Sequence, residues 1–286
     1  MNDTLLERVN AYQRRAFREL PDFRVSTIDQ AVDFVNERGF IFFWPLKGLP
    51  FPSLWAAVAG NRPVADEHDN PGHITWGWKD SLLGTKRLYY SKLIKHRNTF
   101  ISNQMLPNFY ALSPNYGDFE TDYLVLYSQG SLSSEAKALY ESLLFNGPLD
   151  TLSLRKSANL SSAASSARYT QAIDKLQSDF MVMPIGISRA GAWNYAYTYD
   201  ITARHLPELI DQTRFIDDDQ ARRAILTAYI TTMGCCDKSS IRKLFSWGDQ
   251  YTAKILNLLE LDCVIQKAYL NPEDKKEIWV LPELTC

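Results

Sequence analysis

The fold of this chain is decided between residues 134 and 200, which read SEAKALYESLLFNGPLDTLSLRKSANLSSAASSARYTQAIDKLQSDFMVMPIGISRAGAWNYAYTYD. Ser134 can cap a first helix, whose apolar residues recur every three or four positions. The run Asn-Gly-Pro at 146–148 ends that helix. Residues 148–154 then indicate a turn that leads into a short second helix, which would brace a third one.

The third predicted helix spans residues 163–177. Its periodicity directs four residues inward, namely Ala164, Ala167, Ile173 and Leu176. Its outer positions are polar or basic, namely Ser165, Ser166, Arg168, Tyr169, Gln171 and Lys175. Residues 180–186 and 194–199 read as strands, with residues 187–193 as the loop, or wing, and Arg189 near its tip. Three helices followed by a hairpin are the order of a winged helix-turn-helix domain.

The same order returns near the C-terminus, with predicted helices at 221–233, 238–245 and 248–259 and a hairpin within 262–281. Near the N-terminus, residues 4–20 and 28–38 predict two helices, and an apolar run follows at 40–44. The sequence therefore predicts an α+β, mainly helical protein made of tandem winged helix-turn-helix domains. The expected domains are residues 1–128, which carry an insertion at about 60–128, then 129–212 and 213–286.

Composition limits the possible partners. The 286 residues carry a formal charge of −2, so any surface that binds DNA must be local. The apolar runs are too short for a membrane span and the N-terminus lacks the pattern of a signal peptide, so we expect a cytoplasmic protein with no membrane partner. The four cysteines show neither zinc spacing nor the density of a disulfide scaffold. We therefore expect reduced thiols, no metal and no cofactor. The sequence does not indicate whether the protein is a monomer or an oligomer.

One segment, residues 76–97, is strongly basic. It holds six lysines and arginines against Asp80 alone. Trp76, Trp78, Tyr89 and Tyr90 are interleaved with these cations. Basic side chains can neutralise phosphates and aromatic rings can stack on bases, although a solvated helix face over an aromatic core is the alternative.

The chain resembles the winged-helix DNA glycosylases of the AlkZ-like group. The resemblance rests on Gly-Phe-Ile-Phe-Phe-Trp-Pro-Leu-Lys-Gly at 39–48, Thr-Trp-Gly-Trp-Lys-Asp at 75–80, Leu-Leu-Phe-Asn-Gly-Pro-Leu at 143–149, and the two hairpins. It implies several winged-helix domains, contact with double-stranded and possibly damaged DNA, and removal of alkylated bases. In that family a pair of glutamines, or a glutamine and an aspartate, flanks one aliphatic residue after the second N-terminal helix.

This pair is not found here, because the corresponding stretch reads Phe-Phe-Trp-Pro-Leu at 42–46. Cleavage of the bond to a cationic base mainly requires a group that positions water and stabilises charge on the sugar. Three carboxylates are candidate substitutes, namely Glu67, Asp69 and Asp80. The cluster of acids and histidines at 66–73 matches no closed zinc site, and a polar surface loop with a turn at 70–72 is the favoured interpretation.

Three functions remain open from the sequence. The first is DNA binding without the known catalytic pair, with Arg168, Tyr169 and Lys175 in the groove or on the backbone, Arg189 on the wing, and Lys79, Lys86 and Arg87 on phosphates. The second is an active glycosylase that uses a substitute carboxylate. The third is a module for protein interaction, which the near-neutral charge and the tyrosines of residues 195–199 also suit.

Overall fold

The computed structural model describes residues 4–64, 69–191, 193–270 and 276–285. The predicted class, α+β and mainly helical with winged-helix domains, is confirmed. The helices are α1 (Leu5–Ala16), α2 (Ile28–Arg38), α3 (Leu54–Ala59), α4 (Asn70–Leu82), α5 (Leu106–Ala111), α6 (Asp122–Ser128), α7 (Ser134–Asn146), α8 (Thr151–Ser157), α9 (Ser166–Ser178), α10 (Thr202–His205), α11 (Glu208–Thr213), α12 (Asp218–Met233), α13 (Lys238–Phe245) and α14 (Asp249–Leu261). The strands are β1 (Phe40–Phe42), β2 (Leu88–Lys92), β3 (Asn98–Ser102), β4 (Leu149–Asp150), β5 (Val182–Ser188), β6 (Ala196–Ile201), β7 (Cys235–Cys236), β8 (Gln266–Tyr269) and β9 (Glu277–Val280).

The chain forms two compact units. The first unit consists of Met1–Trp76 and Asp218–Cys286, and the second unit is Gly77–Asp217. The three domain ranges expected from the sequence remain a prediction. Each compact unit contains one complete succession of three helices and a hairpin, so the repeated order seen in the sequence is present in both.

In the second unit, α7, α8 and α9 precede the hairpin of β5 and β6. The hydroxyl of Ser133 accepts a hydrogen bond from the Ala136 amide, so Ser133 and not Ser134 caps α7. The sequence offers two adjacent serines for this role, and only the first has the extended backbone of a capping residue. Asp150 caps α8 through the amides of Leu152 and Ser153.

The sheet of the second unit has the strand order β4-β6-β5. Leu149 pairs with Tyr199, and Val182 pairs with Ile201 in the antiparallel hairpin. The register shifts between Pro184 and Gly186, where the proline has no amide to donate. The core between this sheet and the helices is apolar and buried, and it includes Leu139, Leu143, Leu154, Leu176, Val182 and Ile201.

The segment that precedes α7 in the second unit also folds. β2 and β3 form an antiparallel hairpin in which Leu88 pairs with Ser102 and Tyr90 with Phe100. Tyr89 and Tyr90 are buried, so the expectation that these rings stack on bases is corrected. They belong to the core because they occupy the interior of a strand, where both faces are covered.

In the first unit, α12, α13 and α14 precede the sheet of order β7-β9-β8. Asp237 and Ser240 form a reciprocal capping box at the start of α13. In the same unit, the Tyr12 hydroxyl of α1 donates to the carbonyl of Thr231, and Gln13 donates to that of Met233. These bonds join the first helix of the chain to the end of α12.

The apolar run after α2 packs within the first unit. Thr27 caps α2, and Gly39 ends it with a φ of 79°, so that this helix has the bounds 28–38 predicted from the sequence. Phe40 stacks on Phe51, with ring centroids 5.0 Å apart. The expected turn at 70–72 is wrong, because α4 begins at Asn70. The Asp69 carboxylate accepts a hydrogen bond from the Gly72 amide and thereby caps this helix.

Candidate nucleic-acid interface

Helix α9 is the third helix of the winged helix-turn-helix succession in the second unit, and this is the helix that such a domain presents to DNA. Its inner face differs from the one the sequence predicts. The buried residues are Tyr169, Ala172, Ile173, Leu176 and Gln177, together with Ser165 before the helix. Ala164 and Ala167 are exposed, because the larger tyrosine and glutamine occupy the interior instead.

Tyr169 therefore does not lie on the outer face, and the expected groove contact is corrected. Burial raises the pKa of Tyr169 to about 12. The Arg155 guanidinium lies 5.0 Å from the centroid of its ring. This tyrosine packs the helix against α8, and its hydroxyl is not presented to solvent.

Arg168 and Lys175 do lie on the exposed face of α9, with side chains 60% and 42% exposed. The Arg168 guanidinium is 3.1 Å from the Glu135 carboxylate, and the Lys175 ammonium is 2.7 Å from that of Asp179. Both cations are therefore paired with acids of their own unit. The Arg168–Glu135 pair is partly exposed, and surface pairs contribute only about 0.2–1 kcal/mol, so a phosphate can compete with Glu135 for Arg168.

A groove of about 800 Å³ runs beside this face. We call it the α9 groove, and its lining residues include His96, Ser131, Ser133, Arg168, Gln171 and Lys175. Glu135 and Asp174 also line it, and Asp174 accepts from the Lys92 ammonium at 2.8 Å. Hydroxyl, amide and guanidinium donors are the groups that contact the sugar-phosphate backbone.

The carboxylates that hold these cations have shifted pKa values. The pKa of Glu135 is lowered, first by its own backbone amide and then by Ser134 and Arg168. The pKa of Asp179 is raised by burial, which the Lys175 ammonium only partly offsets. Asp179 is therefore a weaker acid than a free aspartate, whereas Glu135 is a stronger acid than a free glutamate.

The wing is the loop between β5 and β6. Arg189 is exposed there, as expected from the sequence, and no ion pair of Arg189 occurs among the residues described. Lys86 and Arg87 are also exposed and lie in the turn between α4 and β2. The Lys86 ammonium is 3.8 Å from Glu208, a distance at which the pair is loose. Their proposed contacts with phosphates remain predictions.

Lys79 is fully buried, and the expectation that it contacts a phosphate is corrected. Its ammonium donates to the hydroxyls of Tyr195 at 2.6 Å and Tyr197 at 2.8 Å, and it lies 2.6 Å from the Asp80 carboxylate. Tyr195 also donates to Asp80 at 2.9 Å. We call these four residues the Lys79 cluster. The cation is retained inside because three oxygens replace its water shell.

The candidate carboxylates have different places. Asp80 belongs to the Lys79 cluster, whereas Asp69 caps α4 and accepts from Arg62 at 2.8 Å. The pKa of Asp69 is lowered, chiefly by the Gly72 amide. Glu67 lies outside the described residues. Each of the two described acids is thus engaged by donors of the protein itself.

The stretch that corresponds to the glutamine pair is aromatic in the structure as well. Phe42 and Phe43 are buried. Trp44 stacks on Trp55 with centroids 5.8 Å apart, and Phe43 meets Trp76 edge to face at 5.9 Å. These side chains carry no carboxamide or carboxylate that could hold a water molecule.

The described part of the chain contains three free thiols, and it contains neither a cluster of side chains that could hold a metal ion nor a helix that could span a membrane. Three cysteines, Cys235, Cys236 and Cys263, are free thiols there, and Cys286 lies outside it. In the described ranges, no three acids, histidines or cysteines come together in a group that could hold a metal ion. In the same ranges, no helix combines the length and the apolar character needed to cross a membrane.

Two features of this surface were missed by reasoning from the sequence. One is the burial of Lys79, for which the alternation of Tyr195, Tyr197 and Tyr199 along the chain is the available signal. The other is Trp193, which lies in the wing with 91% of its surface exposed. The sequence places a tryptophan in the loop, but only the structure shows how far its ring extends into solvent.

The succession of three helices and a hairpin in both units defines a protein with tandem winged helix-turn-helix domains. The chain belongs to the AlkZ-related family, whose model matches residues 25–246. Its structure is similar to that of the Streptomyces sahachiroi DNA glycosylase AlkZ, with a TM-score of 0.60, 12% identity, and coverage of 100% of this chain and 71% of that one. A comparison with curated proteins found no match. The resemblance inferred from the sequence is thereby confirmed.

Proposed function

We propose that this protein binds double-stranded DNA through the exposed face of α9 and through the wing of the second unit. The observation that carries this proposal is the position of Arg168, Gln171 and Lys175 along a polar groove, on the helix that a winged helix-turn-helix presents to DNA. Arg189, Lys86 and Arg87 would contact phosphates beside it. The near-neutral net charge is compatible with this, because the basic groups are concentrated locally.

Binding in the α9 groove would exchange one set of ionic partners for another. A phosphate that approaches Arg168 or Lys175 replaces Glu135 or Asp179, whose pairs with these cations are partly exposed. Each phosphate contact releases condensed counterions, and the logarithm of the affinity falls by about 0.9 per contact for each decade of salt. We therefore expect binding that weakens steeply as salt rises.

The binding experiment uses fluorescence anisotropy with a labelled duplex over a series of salt concentrations. The double variant Arg168→Ala/Lys175→Ala should weaken binding and reduce the salt slope by about 0.9 for each phosphate that is no longer neutralised. The matched control is Arg242→Ala/Lys267→Ala, which removes two cations that are 59% and 47% exposed and also paired with acids. Equal reduction of affinity in both variants, or no binding of the wild type at low salt, would contradict the proposal. The second result would favour a surface for protein interaction.

We further propose that the protein does not use the glutamine-dependent chemistry of its glycosylase relatives. The stretch 42–46, where that chemistry needs polar groups, reads Phe-Phe-Trp-Pro-Leu, and the rings of Phe42 and Trp44 are packed against other aromatic residues. Removal of a cationic base requires a group that orients water at the sugar. Aromatic rings at these two positions supply no such group.

An assay of base release tests this second part. Duplexes that contain N7-alkylated purines are incubated with the protein, and free base is measured by chromatography. We expect no release above that of the same duplex without protein. Release that disappears in Asp80→Asn or Asp69→Asn, with DNA binding intact, would instead establish a glycosylase with a substitute carboxylate.

A further inference from the structure

We propose that Trp193 stacks on an unstacked nucleobase, so that the preferred ligand of the wing is a duplex with an unpaired or looped-out base. This inference rests on the DNA binding proposed above and specifies its substrate class. Its basis is the juxtaposition of a solvent-exposed indole, exposed cations and a wing with an anchored root.

The exposure of Trp193 is the first observation. At 91%, its exposed fraction is the highest among the large apolar side chains of the described residues. An indole has two flat faces on which a base can stack, and such stacking tolerates any base sequence. An exposed fraction of 91% leaves the ring of Trp193 accessible to a ligand from solvent.

The backbone of the loop holds the indole at a turn. The Asn194 amide, directly after Trp193, donates to the Gly191 carbonyl at 3.1 Å. Gly191 and Asn194 have φ values of 86° and 49°, in the left-handed region that reverses the chain. The tryptophan therefore projects from a defined turn.

The root of the wing is fixed by the Lys79 cluster. Tyr195, two residues after Trp193, and Tyr197 on β6 both accept hydrogen bonds from the buried ammonium. On β5, the Ile185 backbone lies against Gly84. A Cβ added to Gly84 would be only 2.3 Å from the Ile185 carbonyl oxygen. Because both strands are anchored, little freedom of the wing is lost when the indole meets a ligand.

The charges around the wing favour a nucleic acid as the occupant. Arg189 is in the same loop, and Lys86 and Arg87 follow Gly84 in the turn that lies against β5. On the other side, Gly191 is next to Leu152 of α8, a helix that also carries the exposed Lys156. The acids that contact these segments include Glu208 of α11, which is 3.8 Å from Lys86, Asp150, which caps α8, and Asp80, which accepts from Tyr195 at the root of the wing. Cations that flank an aromatic ring match phosphates that flank a base.

The test compares two duplexes of the same sequence, one fully paired and one with a single bulged 2-aminopurine. The wild type should bind the bulged duplex about 5- to 150-fold more tightly, the range that stacking of one base supplies. Stacking on the indole should also quench the emission of 2-aminopurine. Trp193→Ala should lose the preference and the quenching while it keeps its affinity for the paired duplex, and Trp193→Phe should retain part of both.

Arg189→Ala is the control for a missing phosphate contact, because it should weaken binding to both duplexes by the same factor. If Trp193→Ala keeps the preference of the wild type, the role of Trp193 is overturned while DNA binding stands. If the wild type binds neither duplex at low salt, the function proposed above fails as well. Thermal unfolding of each variant verifies its fold, and an exposed side chain should leave the midpoint unchanged.

Discussion

Replacement of Lys79 by methionine is the sharpest test of how the second unit is held together. The substitution keeps an unbranched apolar side chain as far as Cε and removes the charged ammonium. The ammonium is fully buried and is shared by Asp80, Tyr195 and Tyr197 at distances of 2.6–2.8 Å. Loss of one partner from a buried ion pair costs about 3–5 kcal/mol, since the other charge stays behind without compensation.

The structure favours the lower end of that range. The Asp80 side chain is 26% exposed, so water can solvate part of its charge once the ammonium is gone. We therefore expect a loss of about 3 kcal/mol. For a protein of this size, 1 kcal/mol corresponds to about 2–4 °C, so the unfolding midpoint should fall by about 6–12 °C.

Circular dichroism melts of four proteins measure this effect: the wild type, Lys79→Met, Asp80→Asn and the double variant. The two single losses should together exceed the loss in the double variant by at least about 1 kcal/mol, because they remove one shared interaction. Lys86→Met is the control at an exposed lysine and should shift the midpoint by no more than about 1 °C. A Lys79→Met midpoint equal to that of the control, or strict additivity in the cycle, would refute the reasoning.

Three further outcomes are expected. The pKa of Asp69 is lowered, so its charge stabilises the fold above the unfolded pKa of about 3.9, and this stability is lost as pH falls through the folded pKa. The difference in stability between the wild type and Asp69→Asn should therefore shrink below about pH 4. A constant difference down to about pH 3 would argue against this. Gly130→Ala should lower the free energy of unfolding by about 1 kcal/mol, because a φ of 72° strains any side chain. Gly84→Ala, at a φ of 70°, should lower it by about 1–3 kcal/mol more, because the new Cβ clashes with the Ile185 carbonyl. Equal urea midpoints for the two variants would contradict this. In a Cys286→Ser background, a thiol reagent should label Cys263 rapidly, whereas burial raises the pKa of Cys235 to about 11 and also raises that of Cys236, so these two thiols should react slowly. Rapid labelling of either one after Cys263→Ser is added to that background would contradict this.

Local patterns in the sequence predicted much of the fold. The bounds of α2 and α13 follow from a capping residue at one end and an apolar period within. The face of α9 did not follow, since tyrosine fits both an apolar interior and a polar surface. Tyr169 lies inside because its ring fills the space beside α8, and periodicity alone does not carry that information.

The placement of Lys79 illustrates a second limit. A lysine in a basic segment is normally solvated, and charge patterning treats it so. Its partners Tyr195 and Tyr197 are 116 and 118 residues away along the chain. Contacts at that separation depend on the tertiary fold, whereas Arg168 and Lys175, whose exposure depends on one helix alone, were placed correctly on the outside.

The distance along the chain between Lys79 and β6 also affects whether the winged-helix segment can fold by itself. A fragment that spans only residues 129–212 keeps all three helices and both wing strands, yet it lacks the cation that Tyr195 and Tyr197 enclose. Two phenols and the pocket between them would then open to water. The wing is thus not an independent segment, because it is completed by a helix more than a hundred residues earlier in the chain. Truncation between that helix and the wing should yield a molten or insoluble product.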